Sequence, residues 1–249
     1  MKKTDVTAII NAHNEGLILT GTLKSVSKAV QRAEEGGLSV EVMVVADRCD
    51  DLTQDVLNDF DEIPVKLVEG DNGDLAESRN QGVKLAEGEF IAFIDGDDLW
   101  GADWLLNAVE AARKEKRECI WHPEVNLYFA ENHQWFFHHH DMDSPDFKVE
   151  NLLVINYWTA LSFARKKVYV DNPYVRNQIS KGMGYEDWSW NCSTIAKGLV
   201  HKVVPETCHF VRKKEFSLVR ESVQADVMVS RHGLYNHLFQ DKKRKFAKR

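Results

Sequence analysis

Three carboxylates crowd into the four residues Asp95-Gly-Asp-Asp98, directly behind the apolar run Phe90-Ile-Ala-Phe-Ile94. Like charges this close repel one another, so a fold keeps them together at a cost unless a cation or hydrogen-bond donors offset it. A divalent ion is the simplest offset. Hard oxygen ligands suit Mg2+ or Mn2+, and an octahedral ion that keeps open positions can also hold a diphosphate. Taken by itself the segment could equally be an Asp/Gly turn with solvated side chains. Two other polar clusters follow apolar runs in the same way, Asn11-Ala-His-Asn-Glu15 and Asp47-Arg-Cys-Asp-Asp51. A further acidic pair, Glu186-Asp187, follows Lys181-Gly-Met-Gly184 and opens a helical pattern. Acids are favoured at a helix N-terminus by the dipole alone, and Asp50 reads equally well as an N-cap for the helix from Leu52.

These clusters need elements to hold them. Val6 to Ile10 is a buried strand, and Leu17, Leu23, Val26, Val30 and Ala33 recur at helical spacing until Gly36-Gly37 ends them. The unit repeats: strand Val40 to Ala46 and helix Leu52 to Asp59, strand Val65 to Val68 and helix Leu75 to Ala86, then strand Phe90 to Ile94. Such alternation predicts a parallel, doubly wound sheet flanked by helices, with ligands bound beyond the carboxyl ends of the strands. The clusters at Asn11 to Glu15, Asp47 to Asp51 and Asp95 to Asp98 fall at such ends. A helix from Ala102 to Lys116 and a strand at Cys119-Ile-Trp121 continue the pattern. Val125 to Ala130 and Trp135 to His140 then alternate like a β-hairpin around Glu131 to Gln134. After an irregular aromatic stretch come a helix at Trp188 to Ala196, a strand at Leu199 to Val204 and a C-terminal helix over Ser217 to Phe239.

The 249 residues, 43% hydrophobic and 29% charged, suffice for one full core and exclude a disordered or disulfide-stapled chain. No apolar run reaches the roughly 18 residues of a membrane span. The four cysteines form no CxxC pair, which fits reduced thiols and a cytoplasmic protein. Net charge is −7, but Asp241 to Arg249 carries +5, leaving −12 on the remainder. So acidic a body argues against nucleic-acid binding, whereas the basic end could meet anionic lipid or an acidic partner. On a strand His138 and His140 point one way and His139 the other, with no further ligand at zinc spacing, so this tract reads as solvated hairpin histidines.

The clusters together resemble the family 2 glycosyltransferases of the GT-A fold. The matching segments are Ile9-Ile-Asn-Ala-His-Asn-Glu15, Val44-Val-Ala-Asp-Arg-Cys-Asp-Asp51, Ala76-Glu-Ser-Arg-Asn-Gln-Gly82, Phe93-Ile-Asp-Gly-Asp-Asp98 and Tyr185-Glu-Asp-Trp188, in the family's order. Asn11 and His13 depart from the proline and tyrosine usual there, and Ala46 from a common second acid. The resemblance implies one GT-A domain with a mostly parallel, Rossmann-like sheet. Its nucleotide-binding half would be 1–98, its acceptor half 99–215, and 216–249 a helix and basic tail.

It further implies that Asn11 and Glu15 hold the nucleoside and that Asp47 accepts a hydrogen bond from the base. Arg79 and Asn80 would lie beside the diphosphate, Asp95 on the ribose or donor sugar, and Arg212 on phosphate. Asp97, Asp98 and His209 would bind Mn2+ or Mg2+. Asp187 would be the catalytic base, with Glu186 orienting the acceptor. The implied activity is metal-dependent, inverting transfer of a sugar from a nucleotide-diphosphate donor, UDP being expected, to a hydroxyl of a glycan or lipid-linked glycan. A nucleotidyltransferase would need a Gly-rich phosphate loop that Asn11 to Gly16 lacks. A non-catalytic binding protein retaining this fold is opposed by the presence of Asp97 and Asp187.

Overall fold

The computed structural model describes residues 3–130, 134–214, 218–236 and 238. Its first half consists of β1 (Val6–Ala12), α1 (Ile18–Glu35), β2 (Val40–Asp47), α2 (Asp51–Asp59), β3 (Lys66–Gly70), α3 (Leu75–Leu85) and β4 (Phe90–Asp95). Then follow β5 (Leu99–Trp100), α4 (Trp104–Lys114), β6 (Cys119–Phe129), β7 (Trp135–His138), β8 (Phe163–Arg165) and α5 (Lys166–Asp171). The chain continues through β9 (Met183–Gly184), α6 (Glu186–Ala196), β10 (Val200–Arg212), α7 (Leu218–Gln224) and β11 (Met228–Val229).

Nine strands form one sheet in the order β3-β2-β1-β4-β8-β6-β10-β5, with β7 also on β6. The β1, β2, β3 and β4 pairings are parallel, as is β6 with β10, while β8, β7 and β5 run antiparallel to their neighbours. The sheet is therefore mostly parallel, as the alternation predicts. Its central strands are apolar on both faces because both are covered. Val6, Ala8 and Ile10 of β1, with Phe90, Ala92 and Ile94 of β4, face α1 and α4; Ile9, Ile91 and Phe93 face the other way, among Val83, Tyr169 and Trp190. This period of two gives one sheet two cores.

Three segments differ from expectation. The two strand candidates either side of Pro123 are one strand, because the residue that cannot donate a ladder hydrogen bond lies where β10 bulges, between Val204 and Cys208. The strand expected to end at Val204 accordingly continues to Arg212. The expected C-terminal helix stops at Gln224, since Asp226 takes a positive φ of 49° and turns the chain into β11 against β9. The hairpin forms as β6 and β7, although residues 131–133 of its turn lie outside the described residues. The basic tail beyond Asp241 lies outside them too.

Candidate functional site

The carboxyl ends of β1, β2 and β4 open into a cleft of about 570 Å3, closed on its far side by α6, α7 and the end of β10. Gly96 joins two of these loops. Its N–H donates to Asn11 O at 2.8 Å, and its carbonyl accepts from Thr22 Oγ1 at 2.9 Å. A Cβ there would stand 3.0 Å from both Asn11 O and the Glu15 carboxyl, so the acidic turn presses against the first loop because Gly96 has no side chain.

The central ion cluster is buried. Arg79, 1% exposed, donates from Nη1 to Glu186 Oε1 at 2.8 Å and from Nη2 to Asp95 Oδ1 at 3.2 Å. Asn177 Nδ2 donates to the second Glu186 oxygen at 2.8 Å. Burial pushes the Glu186 carboxyl up, yet the Arg79 charge and these hydrogen bonds hold it below its usual value. Asp95 is raised by burial, which outweighs Arg79, and the neighbouring Asp97 adds to the rise. Arg79 is thus no surface residue of α3; it ties the acidic turn to the start of α6.

Asp97 faces Lys214, whose Nζ lies 2.6 Å from Oδ2. Asp98 Oδ1 accepts the Arg212 backbone N–H at 2.8 Å, and Arg212 Nε donates to Asp97 O at 3.0 Å. Burial, and then the charges of Asp97 and Asp95, push Asp98 well above the usual carboxylate range. Glu15 is likewise raised by burial and by Asp97. Mutual repulsion among buried acids marks a site short of positive charge, which fits a divalent cation. Among the described residues no three His, Cys, Asp or Glu side chains form a metal cage. An ion of the magnesium kind takes one or two carboxylates and completes its shell with water and phosphate. Asp97, on the cleft wall, is the best-placed ligand, with Asp98 behind it and committed to β10.

The nucleoside end has a different character. Asp47 Oδ1 accepts from Asn72 N at 2.7 Å and Gly73 N at 3.1 Å, while Oδ2 accepts from Ser78 Oγ at 2.9 Å. These bonds overcome burial and keep the Asp47 carboxyl below its usual value. It therefore shapes the loop before α3 as well as lining the cleft. Asn11 is 5% exposed, and neither atom of its amide has a hydrogen-bond partner among the described residues. A buried amide left unpaired is costly, so its place on the cleft wall suits a polar ligand atom. Asp50 accepts from Thr53 N at 2.9 Å, the N-cap its position allows.

Asp187 stands on the opposite wall, at the first turn of α6, after Tyr185 in a left-handed conformation with φ 57°. Burial, followed by the charge of Glu186, raises its carboxyl to about 7. A carboxylate tuned to neutrality in a cleft is suited to accepting a proton.

Two expected site residues lie elsewhere. Asn80 exchanges two 2.9 Å hydrogen bonds with the backbone of Tyr174, pinning the 174 segment to α3 outside the cleft. His209 is fully buried, its ring 4.6 Å from that of Trp104 and 6.2 Å from that of Trp100, and it does not line the cleft. Burial drives its pKa well down, and neither ring nitrogen has a hydrogen-bond partner among the described residues, so the structure places His209 in the core and away from the Asp97 carboxyl in the cleft. The hairpin tract also divides: His138 is exposed, whereas His139 is 7% exposed, hydrogen-bonded at Nδ1 to Pro123 O at 2.7 Å and accepting Thr159 N at 3.3 Å. His139 is thus not a solvated histidine. Lys214, Ser78, Tyr128 and Thr159 line the cleft although the motifs do not single them out. For Lys214 the one available signal is its place in Arg212-Lys-Lys214, just past a strand whose end the sequence did not reveal.

A curled, mostly parallel sheet with an acidic turn at its central strand end defines a GT-A-type transferase fold. The chain matches the model of glycosyl transferase family 2 over residues 7–175, and it belongs to that family. Among curated relatives it is 23% identical over 202 residues to the Escherichia coli UDP-Glc:alpha-D-GlcNAc-diphosphoundecaprenol beta-1,3-glucosyltransferase WfaP, covering 78% of this chain and 71% of that protein. It is 32% identical over 79 residues to the putative glycosyltransferase EpsH of Bacillus subtilis, covering 31% of this chain and 23% of that one. With EpsH, as with the related EpsJ, the match spans only about a quarter of the relative's length. Among solved structures, S. aureus TarS 1-349 in complex with UDP-GlcNAc superposes with a TM-score of 0.63 at 16% identity, over 87% of this chain and 61% of that one. The mannosyltransferase PcManGT from Pyrobaculum calidifontis, in complex with GDP-Man and Mn2+, gives 0.59 at 15% identity, over 88% and 59%.

Proposed function

We propose that this protein is an inverting glycosyltransferase that moves a sugar from a nucleotide-diphosphate donor to a hydroxyl of a glycan or lipid-linked glycan. The observation that carries the reading is one cleft with the acidic turn of β4 on one wall and Asp187, raised to about 7, on the other. The nucleoside lies by Asn11, Glu15 and Asp47, with UDP the expected nucleotide. The diphosphate lies between Asp97 and the cationic strand end Arg212, Lys213 and Lys214. Asp95, held by Arg79, faces the ribose or donor sugar. Asp97, with Asp98 behind it, would hold Mn2+ or Mg2+, which when bound supplies charge to the leaving diphosphate. The neighbour complexes with UDP-GlcNAc and with GDP-Man and Mn2+ support the donor class and the metal.

Asp187 takes the proton of the acceptor hydroxyl as that oxygen bonds to the anomeric carbon. The bond from that carbon to the diphosphate oxygen breaks with its electron pair leaving on the diphosphate, and attack from the opposite face inverts the centre. Glu186, committed to Arg79 and Asn177, fixes the start of α6 that carries the base. The acceptor enters by the half beyond residue 98. The lipid-linked acceptor in the name of WfaP and the +5 charge of Asp241 to Arg249 support a peripheral position on the inner face of a membrane. No described helix is long and apolar enough to cross one.

Asp187→Asn tests the chemistry. It should lower turnover by roughly 10²–10⁴-fold while nucleotide affinity is kept. The wild-type rate should rise with pH through about 7, as the carboxyl deprotonates. An Asp187→Asn protein of undiminished turnover removes Asp187 as the base.

A further inference from the structure

The base does not stand alone on its helix. Asn156, in the loop that leads to Thr159 and Leu161 on the cleft wall, donates from Nδ2 to Asp187 Oδ2 at 3.1 Å. Its Oδ1 accepts from Asn191 Nδ2 at 3.0 Å and from the Trp158 backbone N–H at 3.4 Å. An amide can be turned either way about its last bond, and what decides is its neighbours. Here a backbone N–H, which can only donate, faces Oδ1, so Nδ2 is left to face the carboxylate. Asn191 lies four residues after Asp187 on α6, hence one turn along the same face, and is 2% exposed. Trp158 is 1% exposed, stacked on His201 at 4.3 Å, with Nε1 donating to His140 O at 2.8 Å. Both anchors of Asn156 are therefore themselves fixed by packing.

We propose that Asn156 is a positioning residue for Asp187: clamped between Asn191 and Trp158, its amide holds Oδ2 of the base and leaves Oδ1 for the acceptor hydroxyl. The proposal rests on the reading of Asp187 as the base. A carboxylate can rotate about its last bond, and one oxygen tied to a fixed donor restricts that rotation. It thereby presents a single oxygen in one orientation, which is how preorganised geometry contributes to rate. The same donor favours the ionised form of Asp187, adding to the backbone N–H groups of Trp188 and Asp187 that already oppose burial there. The other ionisable groups acting on Asp187 or sensing its charge are Glu186, Arg79, Tyr128, Tyr174 and Cys192. None of them is removed by changing Asn156.

The test reads Asp187 directly. In the full chain with 13C-labelled aspartate side-chain carboxyls, its resonance is the one missing from Asp187→Asn, and its titration midpoint is followed by NMR. Asn156→Leu, similar in size but without the donor, should raise the midpoint by about half to one pH unit. Asn156→Asp, which adds a like charge, should raise it further, and Asn191→Leu should raise it less. An unchanged midpoint in a folded Asn156→Leu protein overturns the proposal, because a purely structural role for Asn156 leaves Asp187 where it was. The ordered shift together with full turnover by Asp187→Asn would leave the clamp standing and refute the base, so the two readings fail separately.

Discussion

Arg79→Met would expose how the site is held together. Arg79 is 1% exposed and supplies the positive charge between Glu186, at 2.8 Å, and Asp95, at 3.2 Å. Removing one member of a buried ionic cluster leaves the others uncompensated, at a cost of about 3–5 kcal/mol. At roughly 2–4 °C per kcal/mol for a chain of this length, the melting temperature should fall by about 10 °C. The loss should also depend on pH, with a sign that can be worked out. In the wild type, burial pushes Glu186 up while Arg79 and its hydrogen bonds hold it below its usual value. Without Arg79, burial acts unopposed by that charge: the folded-state value of Glu186 rises above that of the unfolded chain, and that of Asp95, already above it, rises further. A carboxyl raised on folding destabilises above its folded pKa and is relieved as pH falls through that value. Urea denaturation of both proteins should therefore show a larger deficit at pH 8 than at pH 5. A loss under about 1 kcal/mol, or an equal loss at both pH values, would refute the argument that Arg79 neutralises this pair.

Lys214→Met removes the ammonium 2.6 Å from Asp97. Calorimetry should show nucleoside diphosphate affinity falling about tenfold, as expected for one lost hydrogen bond to a charged group, with nucleoside affinity little changed. Equal losses for both ligands would take Lys214 away from the diphosphate. Deleting residues 242–249 should weaken sedimentation with anionic lipid vesicles at low salt, by roughly 1 kcal/mol for each basic residue that meets the surface. Unchanged sedimentation would remove the tail from membrane contact.

The frame of this site was legible because its signals are local. Phe90 to Ile94 is apolar throughout and could only be a strand covered on both faces, so the acids behind it had to lie at a strand end. Gly96 and the polar clusters after β1 and β2 then converge by topology alone. What escaped depends on register. His209 follows the β10 bulge, where Glu206 takes φ 60°, and a one-residue slip there reverses which face every later side chain meets. Motif matching put His209 in the cleft, whereas the strand turns it onto Trp104. Arg79 and Asn80 are adjacent on α3, so the helix that sends Arg79 inward necessarily turns Asn80 elsewhere, toward Tyr174. The alternation of His138 and His139 was readable, but nothing local revealed that the loop carrying Thr159 covers His139. Asn156 belongs to an irregular stretch without periodicity, and its partnership with α6 spans 31 residues of sequence.

A nucleotide-diphosphate site built around Asp97 should show in the melting temperature, since a ligand bound only by the folded state raises it. UDP, GDP, dTDP and CMP would each be added with Mn2+ and with EDTA to the wild type, Asp97→Asn and His209→Phe. One nucleoside diphosphate should raise the wild-type midpoint with Mn2+ and far less with EDTA. That difference should be lost in Asp97→Asn and retained in His209→Phe. A folded wild-type protein whose midpoint none of the four nucleotides moves, with or without metal, would contradict a nucleotide-diphosphate site there.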